Sequence, residues 1–172
     1  MENLIKKVDG LLLYFLMLLM VLMVLDVSWQ VITRYLAPKP SSFTEELASY
    51  FMMWIGVLGG AYALRQKAHL GIDILTQRFT GKTKIYMELF IHAMVILFAV
   101  LVLIWGGIRL VIIQLYLNQL SAALRIPVGY VYLVLPLTGF LLVLYSVYFI
   151  FRLKSDELVI SETEKQTLAG MD

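Results

Sequence analysis

Four long apolar stretches, each almost free of charge, dominate the hydrophobic pattern of the chain. They cover residues 11–35, 45–65, 86–116 and 127–151. A membrane-spanning helix needs about 20 predominantly apolar residues, and in lipid its backbone polar groups must be satisfied within the helix. The pattern therefore predicts an all-α integral membrane protein with four transmembrane helices. Residues 1–153 form the membrane domain, and 154–172 form a charged tail.

The links between the spans carry their own signals. Ile72, Leu75 and Phe79 share one helical face of the link at 67–84, which predicts a short amphipathic helix on the membrane surface between spans two and three. The segment Ser42-Phe43-Thr44-Glu45 resembles a capping box that starts span two. Glu45 and Glu46 then lie in the first turn, either as a helix cap or as a docking or ion-pairing site.

The distribution of basic residues predicts the orientation of the spans. Four crossings place ten Lys and Arg residues on the side of the termini and four on the other side. Cytoplasmic loops carry the excess of positive charge. Both termini, the link between spans two and three, and the tail are therefore predicted to be cytoplasmic.

Composition changes this picture only by narrowing the function classes. Of 172 residues, 61% are hydrophobic and 15% are charged, with a net charge of +2 and no cysteine. Soluble domains average about 45–50% apolar and about 25% charged residues. Disulfides and thiolate metal sites are excluded, and no basic surface suits nucleic acid. No catalytic motif is present, so we predict no enzyme activity, no cofactor and no metal.

Charged and polar residues within the spans are the first candidates for function, because ionisable groups in a membrane are costly. Asp26 lies deep in span one, and Arg109 or Arg34 is its predicted ion-pair partner, within the chain or between subunits. His69 and His92 lie near the inner ends of spans two and three. A loop histidine and a hydrogen-bonded helix histidine are favoured there over a haem site.

Small residues mark span two as a packing face. Gly56 and Gly60 are one helical turn apart, and such spacing permits close helix approach. The predicted contact is made within the chain or with a partner.

Two groups of residues carry a resemblance to a known family. The first group is Phe43-Thr44-Glu45-Glu46-Leu47-Ala48, Trp54, Gly60-Ala61, Ala63, Arg65, His69 and Asp73, and the second is Ser121-Ala122-Ala123-Leu124-Arg125-Ile126-Pro127, Tyr132 and Pro136. Together with Arg34 they resemble the DctQ-type small membrane subunit (SiaQ-like small permease) of tripartite ATP-independent periplasmic (TRAP) transporters. Phe43 replaces the family's usual Trp, and Tyr50 falls near a common Arg.

The resemblance implies a partner complex in the bacterial inner membrane. A periplasmic binding protein delivers an organic acid, sialic acid or a C4-dicarboxylate. A large membrane (M) subunit imports it with Na+, and the small subunit acts as a scaffold for the large one. Partner-contact candidates are then Arg34, Glu45, Glu46, Trp54, Gly56, Gly60, Arg65, His69, Asp73 and Arg125.

Two other functions stay open on the sequence alone. A self-sufficient four-span exporter would use Asp26 as its proton-coupled acid, and an electron-transfer subunit would bind haem through His69 and His92. Within the TRAP interpretation, Arg65, His69 and Asp73 are expected to pin the surface helix. Loss of Glu45 and Glu46 is expected to reduce transport more than membrane insertion.

Overall fold

The computed structural model describes residues 2–36, 42–66 and 82–169. Four helices in this part are long and apolar enough to cross a membrane: Ile5–Leu36, Ser42–Arg65, Ile85–Tyr116 and Val128–Phe151. The predicted all-α class with four spans is confirmed. The predicted surface helix falls mainly on residues 67–81, which lie outside the described residues.

The first two spans are single helices, and the last two are interrupted. The elements are α1 (Glu2–Leu36), α2 (Ser42–Arg65), α3 (Lys82–Phe98), a π-helical segment (Ala99–Gly106), α4 (Gly107–Tyr116), α5 (Val128–Val131) and α6 (Val134–Ala169). α2 begins at Ser42, within the predicted capping box. α6 continues through the predicted tail as far as Ala169.

α6 is the central helix of the bundle. It packs against α2, α3 and the π-helical segment, whereas α1 packs mainly along α2. Tyr145, Val134 and Thr138 of α6 are at most 1% exposed. The core therefore lies where α1 and α2 pack together with α6, and it includes Leu12, Leu16, Leu58 and Ala61 as well. Most other apolar side chains point outward, as lipid-facing side chains do.

Spans three and four approach each other closely at three glycines: Gly107, Gly139 and Gly129, where a Cβ atom would lie 2.7 Å from Leu115 Cγ. A Cβ atom at Gly139 would lie 2.7 Å from Ile104 Cγ1 and 3.2 Å from the Ala99 carbonyl oxygen. A Cβ at Gly107 would lie 2.9 Å from Pro136 Cδ. Only glycine permits these approaches, and they bring the π-helical segment directly against α6.

The close approach predicted at Gly56 and Gly60 is not made within the described chain. A Cβ atom at either glycine would meet nothing within 4 Å. The buried residues of α2 include Leu58 and Ala61, which lie about 100° or more around the helix from Gly56 and Gly60. Spacing alone marked a smooth helix face, but the packed face of α2 is built from larger side chains.

Candidate functional site

The first of two polar groups, called here the Glu46 site, lies where the start of α2 meets the loop between α4 and α5. Glu46 Oε1 accepts hydrogen bonds from the Tyr50 hydroxyl at 2.7 Å and the Ala122 N–H at 3.2 Å. Glu46 Oε2 accepts from the N–H groups of Ala123 at 2.8 Å and Leu124 at 3.1 Å. Three consecutive backbone N–H groups thus surround one carboxylate, an arrangement that favours an anion.

The loop holds those N–H groups in place through its own hydrogen bonds. Ser121 N–H donates to the Ile126 carbonyl at 2.9 Å, and Val128 N–H donates to the Gln119 carbonyl at 3.0 Å. Ser121 Oγ accepts from Leu124 N–H at 3.2 Å. The turn closes with Arg125 at φ 52°, a left-handed conformation that is unfavourable for a side chain other than glycine or asparagine.

The two motif groups of the sequence therefore meet in one contact. Glu46 belongs to the first group, and Ala122, Ala123 and Leu124 belong to the second. Tyr50, which departs from the usual residue of the resembled pattern, supplies the fourth donor. The sequence indicated each motif but gave no sign that one binds the backbone of the other.

Trp54 makes a second link between α2 and the start of span four. Its indole Nε1 donates to the Val131 carbonyl at 3.0 Å, and its ring meets Phe15 of α1 edge to face at 6.1 Å between centroids. Val131 ends α5. A carbonyl at such a helix break needs a partner inside a membrane, and Trp54 provides it.

A second polar group, the Arg65 cluster, lies at the opposite end of α2. Arg65 Nε donates to Asp9 Oδ2 at 2.9 Å, and both side chains are mostly buried, at 20% and 17% exposure. The Arg65 guanidinium carbon lies 5.4 Å from the centre of the Tyr148 ring and 5.6 Å from that of Phe149. Cation–π contacts of this kind strengthen when water is excluded.

The Arg65 cluster joins every span of the described bundle. Asp9 lies on α1, Arg65 on α2 and Tyr148 on α6, and the ring of His92 on α3 stacks on Phe149 at 5.0 Å. Asp9 is not among the residues that the sequence pattern singled out as functional candidates. The sequence does carry a signal for this pair: Asp9 and Arg65 have opposite charges and lie at the same end of two antiparallel helices.

The two polar groups lie one hydrocarbon thickness apart. At about 1.5 Å per residue, Glu46 and Arg65 are about 28 Å apart along α2, and the hydrocarbon core of a bilayer is about 30 Å thick. Asp26 lies about 25 Å from Asp9 along α1. Asp26 is therefore near the depth of the Glu46 site rather than at the middle of the membrane.

The remaining predicted charges make no ion pair in the described part of the chain. Asp26 is half-buried on the face of α1 that carries Leu19, and its Oδ2 atom has no hydrogen-bond partner among the described residues. The side chains of Arg34, Glu45, Arg109 and Arg125 are exposed. The structure brings neither Arg109 nor Arg34 to Asp26. His69 and Asp73 lie outside the described residues.

Comparison with known proteins places residues 23–155 in one family, described as the DctQ component of tripartite ATP-independent periplasmic transporters. A putative TRAP transporter small permease protein of Haemophilus influenzae is 24% identical over 78% of this chain and 86% of its own length. The sialic acid TRAP transporter small permease protein SiaQ of Vibrio cholerae is 30% identical over 41% of each chain.

A longer relative is also similar. The isethionate TRAP transporter permease protein DctMQ of Oleidesulfovibrio alaskensis is 26% identical over 69% of this chain, but the match covers only 20% of that relative's length. These relatives are transporter permease proteins and not enzymes, as predicted. With the family model matching most of the chain, the sequence resemblance is confirmed: this chain belongs to the DctQ family of TRAP transporter small permease subunits.

Proposed function

We propose that this chain is the scaffold of a TRAP transporter, which supports a large membrane subunit during Na+-coupled import of an organic acid. The periplasmic binding protein of the same transporter delivers the substrate. The proposed cellular location is the bacterial inner membrane, with both termini on the cytoplasmic side. Sialic acid is the first substrate to test, because one small-permease relative is named for it, and C4-dicarboxylates are the second.

The proposal rests on one observation: the main polar side chains of the described chain bind other parts of the same chain. Glu46 and Arg65 bind other parts of the same chain at the two ends of the bundle. Between them, the described cavities of about 530, 320 and 280 Å³ are lined almost entirely by apolar residues. A transport pathway for an organic anion needs polar or charged groups along its length. We therefore assign that pathway to a partner subunit.

Six of the partner-contact candidates fall into two sets by the contacts that they make within the described chain. Glu46, Trp54 and Arg65 already have partners within the chain, so we assign them to hold the scaffold together. Glu45, Arg34 and Arg125 are exposed at the end of the Glu46 site, and we propose that they contact the large subunit or the docked binding protein. We propose an intersubunit pairing for Asp26 and Arg109.

Arg125 is the strongest of these surface candidates. Its side chain is exposed, yet its backbone holds a left-handed conformation at φ 52°. Strain of this kind costs of order 1–3 kcal/mol and is typical of functional positions. An arginine kept where glycine would fit better supports a role for its charge in docking.

The scaffold role is tested by the thermal stability of the large subunit. We expect the large subunit, purified in detergent, to melt at a higher temperature with this chain than without it, because binding to the native state raises stability. A complex that forms without raising the melting temperature would argue against a scaffold. Failure of the two proteins to co-purify would contradict the partnership itself.

The self-sufficient exporter remains the alternative, because Asp26 Oδ2 is buried without a partner among the described residues. The Asp26→Asn variant separates the two functions. The scaffold account expects uptake by the complete transporter to fall only as far as assembly with the large subunit weakens in this variant, and it expects no transport by the purified chain alone. Proton-coupled transport by the purified chain alone, abolished by the same substitution, would favour the exporter.

A further inference from the structure

A lateral groove separates spans two and three on the surface of the bundle. α2 and α3 both pack against α6 rather than against each other, which leaves a space of about 530 Å³ between them. Gly60 and Leu64 form one wall, Met94 and Phe98 the other, and Thr138 and Leu142 the floor. At about 1.5 Å per residue, Gly60 lies about 21 Å from Glu46 along α2, so the groove is within the hydrocarbon region.

The floor of the groove carries an unused hydrogen-bonding group. Thr138 is 1% exposed, and its Oγ1 atom has no hydrogen-bond partner among the described residues. A hydroxyl left without a partner in apolar surroundings costs free energy. Lipid tails offer no acceptor, so the groove suits an occupant that brings a carbonyl oxygen or a polar side chain.

The wall of the groove permits such an occupant to come close. Gly60 is exposed, and a Cβ atom there would meet nothing within 4 Å. Glycine on a membrane helix lets a second backbone approach closely, and threonine hydroxyls bond across such contacts. Gly60 and Thr138, the residue that carries the unpaired hydroxyl, line the same groove.

We propose that this groove receives one transmembrane helix of the large membrane subunit, which packs closely on Gly60 and accepts a hydrogen bond from the Thr138 hydroxyl once that side chain turns toward the groove. This inference rests on the proposed scaffold function and names the surface that it uses. The large subunit is favoured over a second copy of this chain because, in the DctMQ relative, a stretch similar to this chain occupies only 20% of one longer permease. The remainder of that polypeptide is tethered beside its small-subunit-like part.

The test is photo-crosslinking in the complete complex in native membranes. A benzophenone amino acid replaces Met94, which is 48% exposed on the groove wall, or Leu18, which is 55% exposed on α1. We expect Met94 to yield an adduct with the large subunit, about tenfold more than Leu18. Adducts with a second copy of this chain, adducts with lipid only, or equal yields from both positions would overturn the proposal.

Filling the groove provides the matched variant. Gly60→Leu places a bulky side chain in it, and Gly10→Leu adds the same side chain at another glycine with nothing within 4 Å. We expect Gly60→Leu to reduce the Met94 adduct about tenfold, because the added side chain occupies the groove, and Gly10→Leu to leave it unchanged. Equal adduct yields in the two variants would contradict the groove.

Thr138→Val tests the hydrogen bond without filling the space. We expect a weaker Met94 adduct with the large subunit and an unchanged or higher melting temperature of the chain alone, because the hydroxyl has no partner there and its burial costs free energy. An unchanged adduct would overturn the role of Thr138. If the wild-type chain co-purifies with the large subunit but the groove gives no adduct, only this inference fails, whereas absence of co-purification overturns the proposed function as well.

Discussion

Glu45 and Glu46 are neighbours of the same charge in different surroundings. Glu46 accepts four hydrogen bonds from Tyr50 and the 122–124 backbone, whereas Glu45 is exposed. The sequence located the acidic pair at the start of a helix. It could not separate the two residues, because three of the four partners of Glu46 are backbone groups more than 70 positions away in the chain.

Replacing Glu46 with Gln is expected to loosen the loop between α4 and α5. The amide keeps one carbonyl oxygen, but its NH2 group faces N–H donors and leaves at least one of them unpaired. We expect the melting temperature of the purified chain to fall by several degrees, and Glu45→Gln to leave it unchanged. Equal melting temperatures for the two variants would show that the contact contributes nothing to stability.

Replacing Arg125 with Gly separates backbone strain from charge. Glycine adopts φ 52° without the penalty of a side chain, so Arg125→Gly is expected to raise or preserve the melting temperature of the chain. Because the docking charge is lost, uptake by the complete transporter is expected to fall. Uptake that stays at the wild-type level in Arg125→Gly and in Arg125→Glu would remove Arg125 from the docking surface.

At the scale of the elements, glycines on different helices have different surroundings. Gly107 and Gly139 bring span three against α6, whereas Gly56 and Gly60 face open space in the described chain. Gly56 and Gly60 stand out in the sequence because they are one turn apart. The tight glycines escaped notice because each meets a partner on another helix, and no spacing along one helix reveals such a neighbour.

A methyl group at Gly139 is expected to push the π-helical segment away from α6. The added Cβ would lie 2.7 Å from Ile104 Cγ1 and 3.0 Å from Leu103 Cβ, and overpacking of this kind costs about 1–3 kcal/mol. We expect Gly139→Ala to lower the free energy of unfolding of the chain in detergent. Gly59→Ala is the control, since a Cβ there meets nothing within 4 Å.

The Arg65 cluster predicts energetic coupling between α1 and α2. Breaking the bond from Arg65 to Asp9 leaves a mostly buried charge without its partner, which we expect to cost about 2 kcal/mol in either Asp9→Asn or Arg65→Gln. A double-mutant cycle should then give a coupling energy of about 1 kcal/mol or more. Strict additivity of the two substitutions would contradict a direct interaction.

At the scale of the whole molecule, hydropathy and bilayer thickness account for the architecture. Four apolar stretches of sufficient length predicted four spans, because a helix provides hydrogen-bond partners for the backbone N–H and C=O groups of an apolar segment in lipid. The structure adds the polar groups that mark both ends, about 28 Å apart. The hydropathy pattern did not predict the π-helical segment of span three or the break in span four. Such interruptions depend on contacts between helices, such as the hydrogen bond from Trp54 to Val131.

The central claim is that this chain supports transport without conducting it. The most direct measurement is uptake of labelled sialic acid, and separately of a C4-dicarboxylate, into proteoliposomes under an inward Na+ gradient. The vesicles hold this chain alone, the large subunit alone, or both, each with the binding protein outside. We predict uptake only when both membrane proteins are present. Uptake by this chain alone would contradict the account and return attention to Asp26.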